Sequence, residues 1–279
     1  MLRKLLMGVI EKNVVCVVTG GFWRYLSCVM LCLLMHGYTM AQEKWTHDEQ
    51  FWVGYMTQSR VHDNWSLWND THWVPESFFL LRTGLTFHAG DAVPITSTAG
   101  IAKLWIYPAQ RDLRTFRPEV RPWGQTTLSH TKNRSTFTHR LRYDARFRRK
   151  LQNDVLLPGY DFNWRLRYML NWRYAFDFST PALQNTYLVL SNEILYNVGG
   201  VTVGGVRMDQ NRASVMVGKN LGNVSVQMGY MNFISQANRD NLYFMKNTLV
   251  FWIFHRLDFR KKNTVDATTS MFEDLVELD

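Results

Sequence analysis

The chain has 279 residues, of which 46% are hydrophobic and 14% aromatic, with 11 Trp, only 20% charged and a formal net charge of +9. That composition excludes a disordered chain, and a mean hydropathy of -0.23 argues against a bundle of membrane helices. Cys16, Cys28 and Cys32 are the only cysteines, so a cysteine metal site, a thiol nucleophile and a disulfide scaffold are excluded downstream of them.

In chain order, the first readable segment is an address. Residues 25–35 read YLSCVMLCLLM, preceded by Arg24 and followed by HGYTMA. The run is too short for a membrane helix, which needs about 20 apolar residues. It fits the core of a secretory signal, and Thr39-Met40-Ala41 places small residues where a signal peptidase reads, so residues 1–41 are expected to be removed. Four basic residues and Glu11 leave with that segment, which lowers the net charge from +9 to +6. A basic excess in an exported protein points to anionic lipid headgroups or an acidic ligand rather than to nucleic acid.

Beyond Ala41 the recurring signal is alternation. Residues 136–148 read TFTHRLRYDARFR, with Phe137, Leu141, Tyr143 and Phe147 on one face and Arg140, Arg142, Asp144, Arg146 and Arg148 on the other. A helix would scatter those arginines, whereas a strand lines them up. Residues 160–176 continue the pattern: Trp164, Leu166, Tyr168, Leu170 and Trp172 oppose Asp161, Asn163, Arg165, Arg167 and Arg173. Trp164 and Trp172 are eight residues apart, on the order of 21 Å along a barrel axis at ~3.4 Å per residue and ~40° tilt. That separation suits the aromatic girdles of a bilayer-spanning barrel, about 25 Å apart.

Further strands are expected at 64–74, 77–89, 98–107, 122–131, 185–198, 208–218, 223–234 and 246–259, with a candidate at 50–58. Short turns fall at 131–135 and 219–222, and longer loops at 108–121, 150–159, 199–207 and 235–245. Short turns on one side and long loops on the other are the mark of an outer-membrane barrel. The fold class is therefore an all-β, antiparallel up-and-down transmembrane barrel of about ten strands (10–12). Starting at residue 64 makes the number even and puts both chain ends in the periplasm, whereas counting 50–58 would make eleven, which bacterial single-chain barrels avoid. Residues 42–63 are then a periplasmic segment or a first strand, 64–259 the barrel, and 260–279 a periplasmic tail in which Ser270 and Glu273 form a capping-box pattern. A soluble β-sandwich also alternates, but its strands are shorter and its polar face is not so rich in arginine.

Several stretches resemble the outer-membrane barrel family known as domain of unknown function 2490, found mostly in Bacteroidetes-type bacteria. They are RPWGQ at 121–125, HRLRYDARF at 139–147, NWRLRY at 163–168, SNEILY at 191–196, DQNRASVMVG at 209–218 and GYMN at 229–232. The resemblance implies a barrel in the outer membrane and no particular activity. Such barrels commonly end on an aromatic residue read by the insertion machinery, whereas Phe259 is followed here by a tail.

The strongest candidates for chemistry are the inward arginines: Arg140, Arg142, Arg146, Arg148, Arg165, Arg167 and Arg173. Packed together they repel unless carboxylates intervene, and Asp144, Asp161 and Glu193 are placed to supply them in the two-pronged geometry arginine favours. Two functional readings follow. The preferred one is a structural or pore-like barrel whose arginine-rich lumen binds or passes small anions, with outer-membrane lipid and the barrel-insertion machinery as partners. The alternative is a membrane-embedded lipid hydrolase. Ser66, Asp70 and His72 share a strand face, but four residues separate the first two, roughly 13 Å, so one strand cannot assemble a triad from them. The histidines are dispersed and no metal site or cofactor is expected, and GGVTVGG at 199–205 lacks the lysine of a phosphate loop.

Overall fold

Period-two alternation continues through nearly every segment, and it becomes strand. The computed structural model describes residues 44–90, 93–108, 115–198, 208–236 and 242–260. Its strands are β1 (Lys44–His62), β2 (Trp65–Val74), β3 (Phe78–Ala89), β4 (Ile95–Ile106), β5 (Arg117–Lys132) and β6 (Ser135–Gln152). They continue as β7 (Val155–Ala175), β8 (Thr186–Val198), β9 (Met208–Leu221), β10 (Val224–Gln236) and β11 (Leu242–Asp258), with one 3₁₀ turn at Pro181–Leu183. Each strand pairs antiparallel with the next, and β1 lies beside β11 to close a barrel. The all-β barrel class read from the sequence is therefore observed. The signal segment 1–41, the loop 199–205 and residues 261–279 of the tail lie outside the described residues.

The strand number is eleven, within the expected ten to twelve, but the parity argument that set aside residues 50–58 does not hold. They lie in the wall, inside β1. An odd number of strands in which every neighbour in sequence is antiparallel forces β1 and β11 to run the same way, so the closing pair is parallel. Contacts across that seam advance together along both strands. Trp45 stacks on Tyr243 with ring centroids 5.0 Å apart, the Tyr55 hydroxyl meets His255 Nδ1 at 2.9 Å, and Phe259 N donates to Arg60 O at 2.8 Å. A second consequence corrects another expectation: β1 begins at one rim (the N rim) and β11 ends at the opposite one (the C rim), so the ends of the barrel do not share a side.

Loop placement is refined in the same way. The segments expected to be long, at 108–121, 199–207 and 235–245, all join strands at the N rim, and the turns at 133–134 and 222–223 sit at the C rim. Residues 150–159 are not a loop. Asn153 and Asp154, both with positive φ (48° and 60°), form a two-residue hairpin turn of the kind whose twist matches paired strands. Pro158 and Gly159 are instead absorbed as a bulge in β7, where the register with β6 slips between Arg149 and Lys150. Proline also hid the start of β5: residues up to 121, Pro118 among them, read as loop with the strand beginning at Pro122, yet pairing with β4 already runs from Arg117, and pairing with β6 lapses at Arg121 and Pro122 before resuming at Trp123.

Burial follows the pleat, inverted relative to a water-soluble core. In β7 Arg165 is 3% exposed while its neighbour Leu166 is 42% exposed. Apolar side chains such as Leu67, Leu85, Ile101, Leu141, Val217 and Leu249 form the outer face around the barrel. The buried charged groups, Arg142, Arg165 and Glu193 among them, line the inside. Among the described residues no helix is long and apolar enough to cross a membrane, which says nothing of crossing by strands.

Candidate functional site

Pleat parity aims the even positions of β6 and the odd positions of β7 inward, and register decides which of them meet. Asp144 lies directly opposite Arg165, Arg142 opposite Arg167, and Glu193 opposite Arg212. Cross-strand neighbours of opposite charge stabilise a sheet and like charges do the reverse. The Arg142–Arg167 pair therefore requires its charges to be drawn elsewhere, and each has its own acceptor.

Glu193 is the hub of the network. Arg167 holds it with two prongs, Nε to Oε1 and Nη2 to Oε2, both at 2.9 Å, Arg140 donates to Oε1 at 2.9 Å, and Arg212 Nη1 lies 3.6 Å from Oε2. Asp144 takes Arg165 at 2.9 Å and has Arg167 at 3.6 Å. Arg146 forks onto Glu119 at 2.7 and 3.2 Å, and Arg121 bonds the same carboxylate. Asp209 joins Arg165 at 3.0 Å to Arg146 at 3.8 Å. Arg82 donates to Asp70 at 2.7 Å. Arg142, 1% exposed, has a neutral acceptor and, among the described residues, no carboxylate: both prongs go to Gln125 Oε1, Nε at 2.9 Å, and its guanidinium lies 4.8 Å from the centre of the Trp123 ring.

Of the seven arginines singled out from the sequence, the structure thus brings Arg140, Arg142, Arg146, Arg165 and Arg167 to one cavity. Arg148 turns to Asn163 Oδ1 at 3.0 Å, and Arg173 sits over the Tyr187 ring at 3.7 Å. Among the three expected counter-charges, Asp144 and Glu193 belong to the network. Asp161 does not: it pairs with Arg117 at 2.5 Å near the N rim, with half of its side chain exposed. Sequence reasoning overlooked Arg82, Arg121, Arg212, Asp70, Glu119 and Asp209 as members. The signal was present as Glu-Val-Arg at 119–121 and as the alternating Asp209 and Arg212 of β9, but the first stood in a segment read as loop.

The cavity has a volume of about 280 Å³. Eight guanidinium groups line it (Arg82, Arg121, Arg140, Arg142, Arg146, Arg165, Arg167 and Arg212), and five carboxylates pair with them: Asp70, Glu119, Asp144, Glu193 and Asp209. Facing this arginine wall is an apolar one that alternation alone did not reveal, built from Trp52, Met56, Phe78, Leu80, Met231 and Phe254. Towards the C rim the lumen carries hydroxyl rungs, Thr86 with Thr98 at 2.9 Å and Ser129 with Thr138 at 3.1 Å.

Ser66, Asp70 and His72 all point inward but bond to different partners. Asp70 takes Arg82 and Trp68, His72 Nδ1 accepts from Trp52 Nε1 at 3.0 Å, and Asp70 Oδ1 lies 3.9 Å from His72 Nε2, beyond hydrogen-bond range. Ser66 instead meets His88 Nε2 at 2.5 Å. Arg60 Nη1 lies 3.1 Å from His88 Nδ1. A guanidinium can only donate, so Nδ1 is the acceptor and Nε2 carries the proton. Nε2 then donates to Ser66 Oγ, the reverse of what a general base must do. No three His, Cys, Asp or Glu side chains cluster as a metal site among the described residues.

Fold and site together define a closed β-barrel with a two-sided lumen, basic on one wall and apolar on the other. Neither a curated protein nor a solved structure matches the chain. The chain belongs to the family described as Protein of unknown function (DUF2490), whose sequence profile matches residues 49–243, from β1 to the start of β11.

Proposed function

We propose that the protein is an outer-membrane β-barrel whose lumen binds small anions and does not serve as an open pore. The observation that carries this reading is the charge balance of the cavity: eight guanidinium groups against five carboxylates, most of them buried. Excess buried charge is costly unless a counter-charge completes it, and arginine forks are suited to carboxylate or phosphate oxygens. The outer face supports a lipid environment, since exposed Leu, Ile, Val and aromatic side chains surround the barrel. Outer-membrane lipid and the barrel-insertion machinery are its partners on this reading. Links between strands that are not neighbours, Asp209 of β9 to Arg146 of β6 at 3.8 Å and Arg212 of β9 to the Trp52 ring of β1 at 5.1 Å, favour binding over conduction.

The Ser66–His88 contact is the one observation on the side of a lipid hydrolase, and its proton polarity opposes that role. The proposal is tested by outer-membrane fractionation, by planar-bilayer recording and by calorimetric titration with inorganic phosphate at two ionic strengths. Expected are an outer-membrane location, no steady conductance and phosphate binding that weakens in Arg142→Gln and Arg212→Gln. Recovery from the soluble periplasm, or absence of anion binding by the folded barrel, overturns it.

A further inference from the structure

Resting on the anion-binding reading, we infer that the occupant of the lumen is amphipathic: a single-chain aliphatic anion whose carboxylate or phosphate head meets the arginine wall and whose chain lies along the apolar wall. The two walls belong to one cavity, so one bound molecule touches both. On the basic side, buried Nε atoms of Arg140 and Arg212 have no acceptor among the described residues, although through other nitrogens Arg140 donates to Glu193 and Arg212 to Gln210. Buried donors left in that state are destabilising, and an oxyanion is the natural acceptor. Arg212 stands where the two walls meet, its guanidinium 5.1 Å from the Trp52 ring centre and 5.3 Å from that of Phe233. A head group there has its chain directed past Trp52 towards Met56 and Met231.

A free inorganic anion satisfies only half of this surface. It makes no use of the apolar surface that Trp52, Met56, Leu80 and Phe254 contribute to the cavity lining, which favours an occupant with apolar surface of its own. Methionine suits such a wall, because its flexible thioether adapts to chains of different shape. About 280 Å³ lies at the lower end of the ~300–1,000 Å³ of ordinary ligand sites, which suits one short chain better than a two-chain phospholipid.

The test is calorimetric titration of the full chain in lipid nanodiscs with acetate, decanoate, decyl phosphate and decanol, with binding to empty nanodiscs subtracted. Each buried methylene is expected to raise affinity roughly fourfold. Decanoate or decyl phosphate should therefore bind at least ~100-fold more tightly than acetate, and decanol far more weakly than either. Whichever of the two anions binds more tightly identifies the head as carboxylate or phosphate, and both orders support the class. In Met56→Gln and Met231→Gln the advantage of decanoate over acetate should shrink at least tenfold, with folding checked by heat-modifiable gel mobility. If those variants do not fold, the comparison of acetate, decanoate and decanol on the natural protein decides alone. Acetate binding as tightly as decanoate overturns this inference and leaves the anion-binding reading standing. Decanol binding as tightly as decanoate, or no binding by any probe, overturns both.

Discussion

Replacing Glu193 by glutamine tests the central claim that the lumen is a counter-charged network. The residue is 6% exposed and serves three arginines: Arg167 and Arg140 at 2.9 Å and Arg212 at 3.6 Å. Glutamine keeps one oxygen, but turns its amide donors towards guanidinium donors. Breaking a buried pair in this way costs about 3–5 kcal/mol, because charges are left without a partner. Asp144, 3.6 Å from Arg167, takes up part of the loss, so a value near the lower end, about 3 kcal/mol, is expected. The assay is urea unfolding of the barrel in lipid vesicles, followed by tryptophan fluorescence. Adding Arg140→Gln in the same chain restores the balance and should recover at least ~1 kcal/mol of coupling. The single variant has one more net positive charge in the lumen, so its affinity for phosphate should rise while its stability falls. A loss below ~1 kcal/mol, the range of an exposed surface pair, would refute the reasoning.

Three further outcomes are expected. Gly100 faces Gly84 across β3 and β4, and an added Cβ would press on the Thr83 carbonyl and come within 2.6 Å of Gly84 Cα; Gly100→Ala should cost about 1–3 kcal/mol by the same unfolding assay, and an unchanged midpoint would contradict the close approach. Cysteines at Tyr55 and His255, in a chain whose natural cysteines all precede residue 33, should cross-link through a short bismaleimide because these side chains touch across the parallel seam; a folded barrel that resists cross-linking would dismiss the eleven-strand closure. Ser66 should stay unlabelled by a fluorophosphonate probe, since His88 donates to it, and Ser66→Ala should cost about 1 kcal/mol through the lost buried hydrogen bond; labelling at Ser66 would revive the hydrolase.

How much was legible beforehand depends on the range over which each feature is determined. Alternation in β6 and β7 is a local property, so the strands, the outward Trp164 and Trp172 and the inward arginine row could be read directly from residue order. The bulge at Pro158–Gly159 and the start of β5 at Arg117 could not, because proline and glycine signal a loop locally, and only neighbouring strands show that pairing continues past them. The placing of residues 50–58 was out of reach for a similar reason: the parity rule describes typical barrels, and nothing within 50–58 says whether that segment has a partner in β11.

The sequence by itself determined the all-β class, the direction in which each side chain points and the existence of a basic lumen, since all three follow from a period of two along single strands. Tertiary structure alone decided the partners. Register placed Asp144 beside Arg165 and Glu193 beside Arg212, left Arg142 with an amide oxygen, and sent Asp161 to the rim. Closure brought Trp52 and Phe254, from opposite ends of the chain, to one apolar wall facing the arginines. Contacts between residues two hundred positions apart depend on which strands meet, and residue order along one strand carries no record of that.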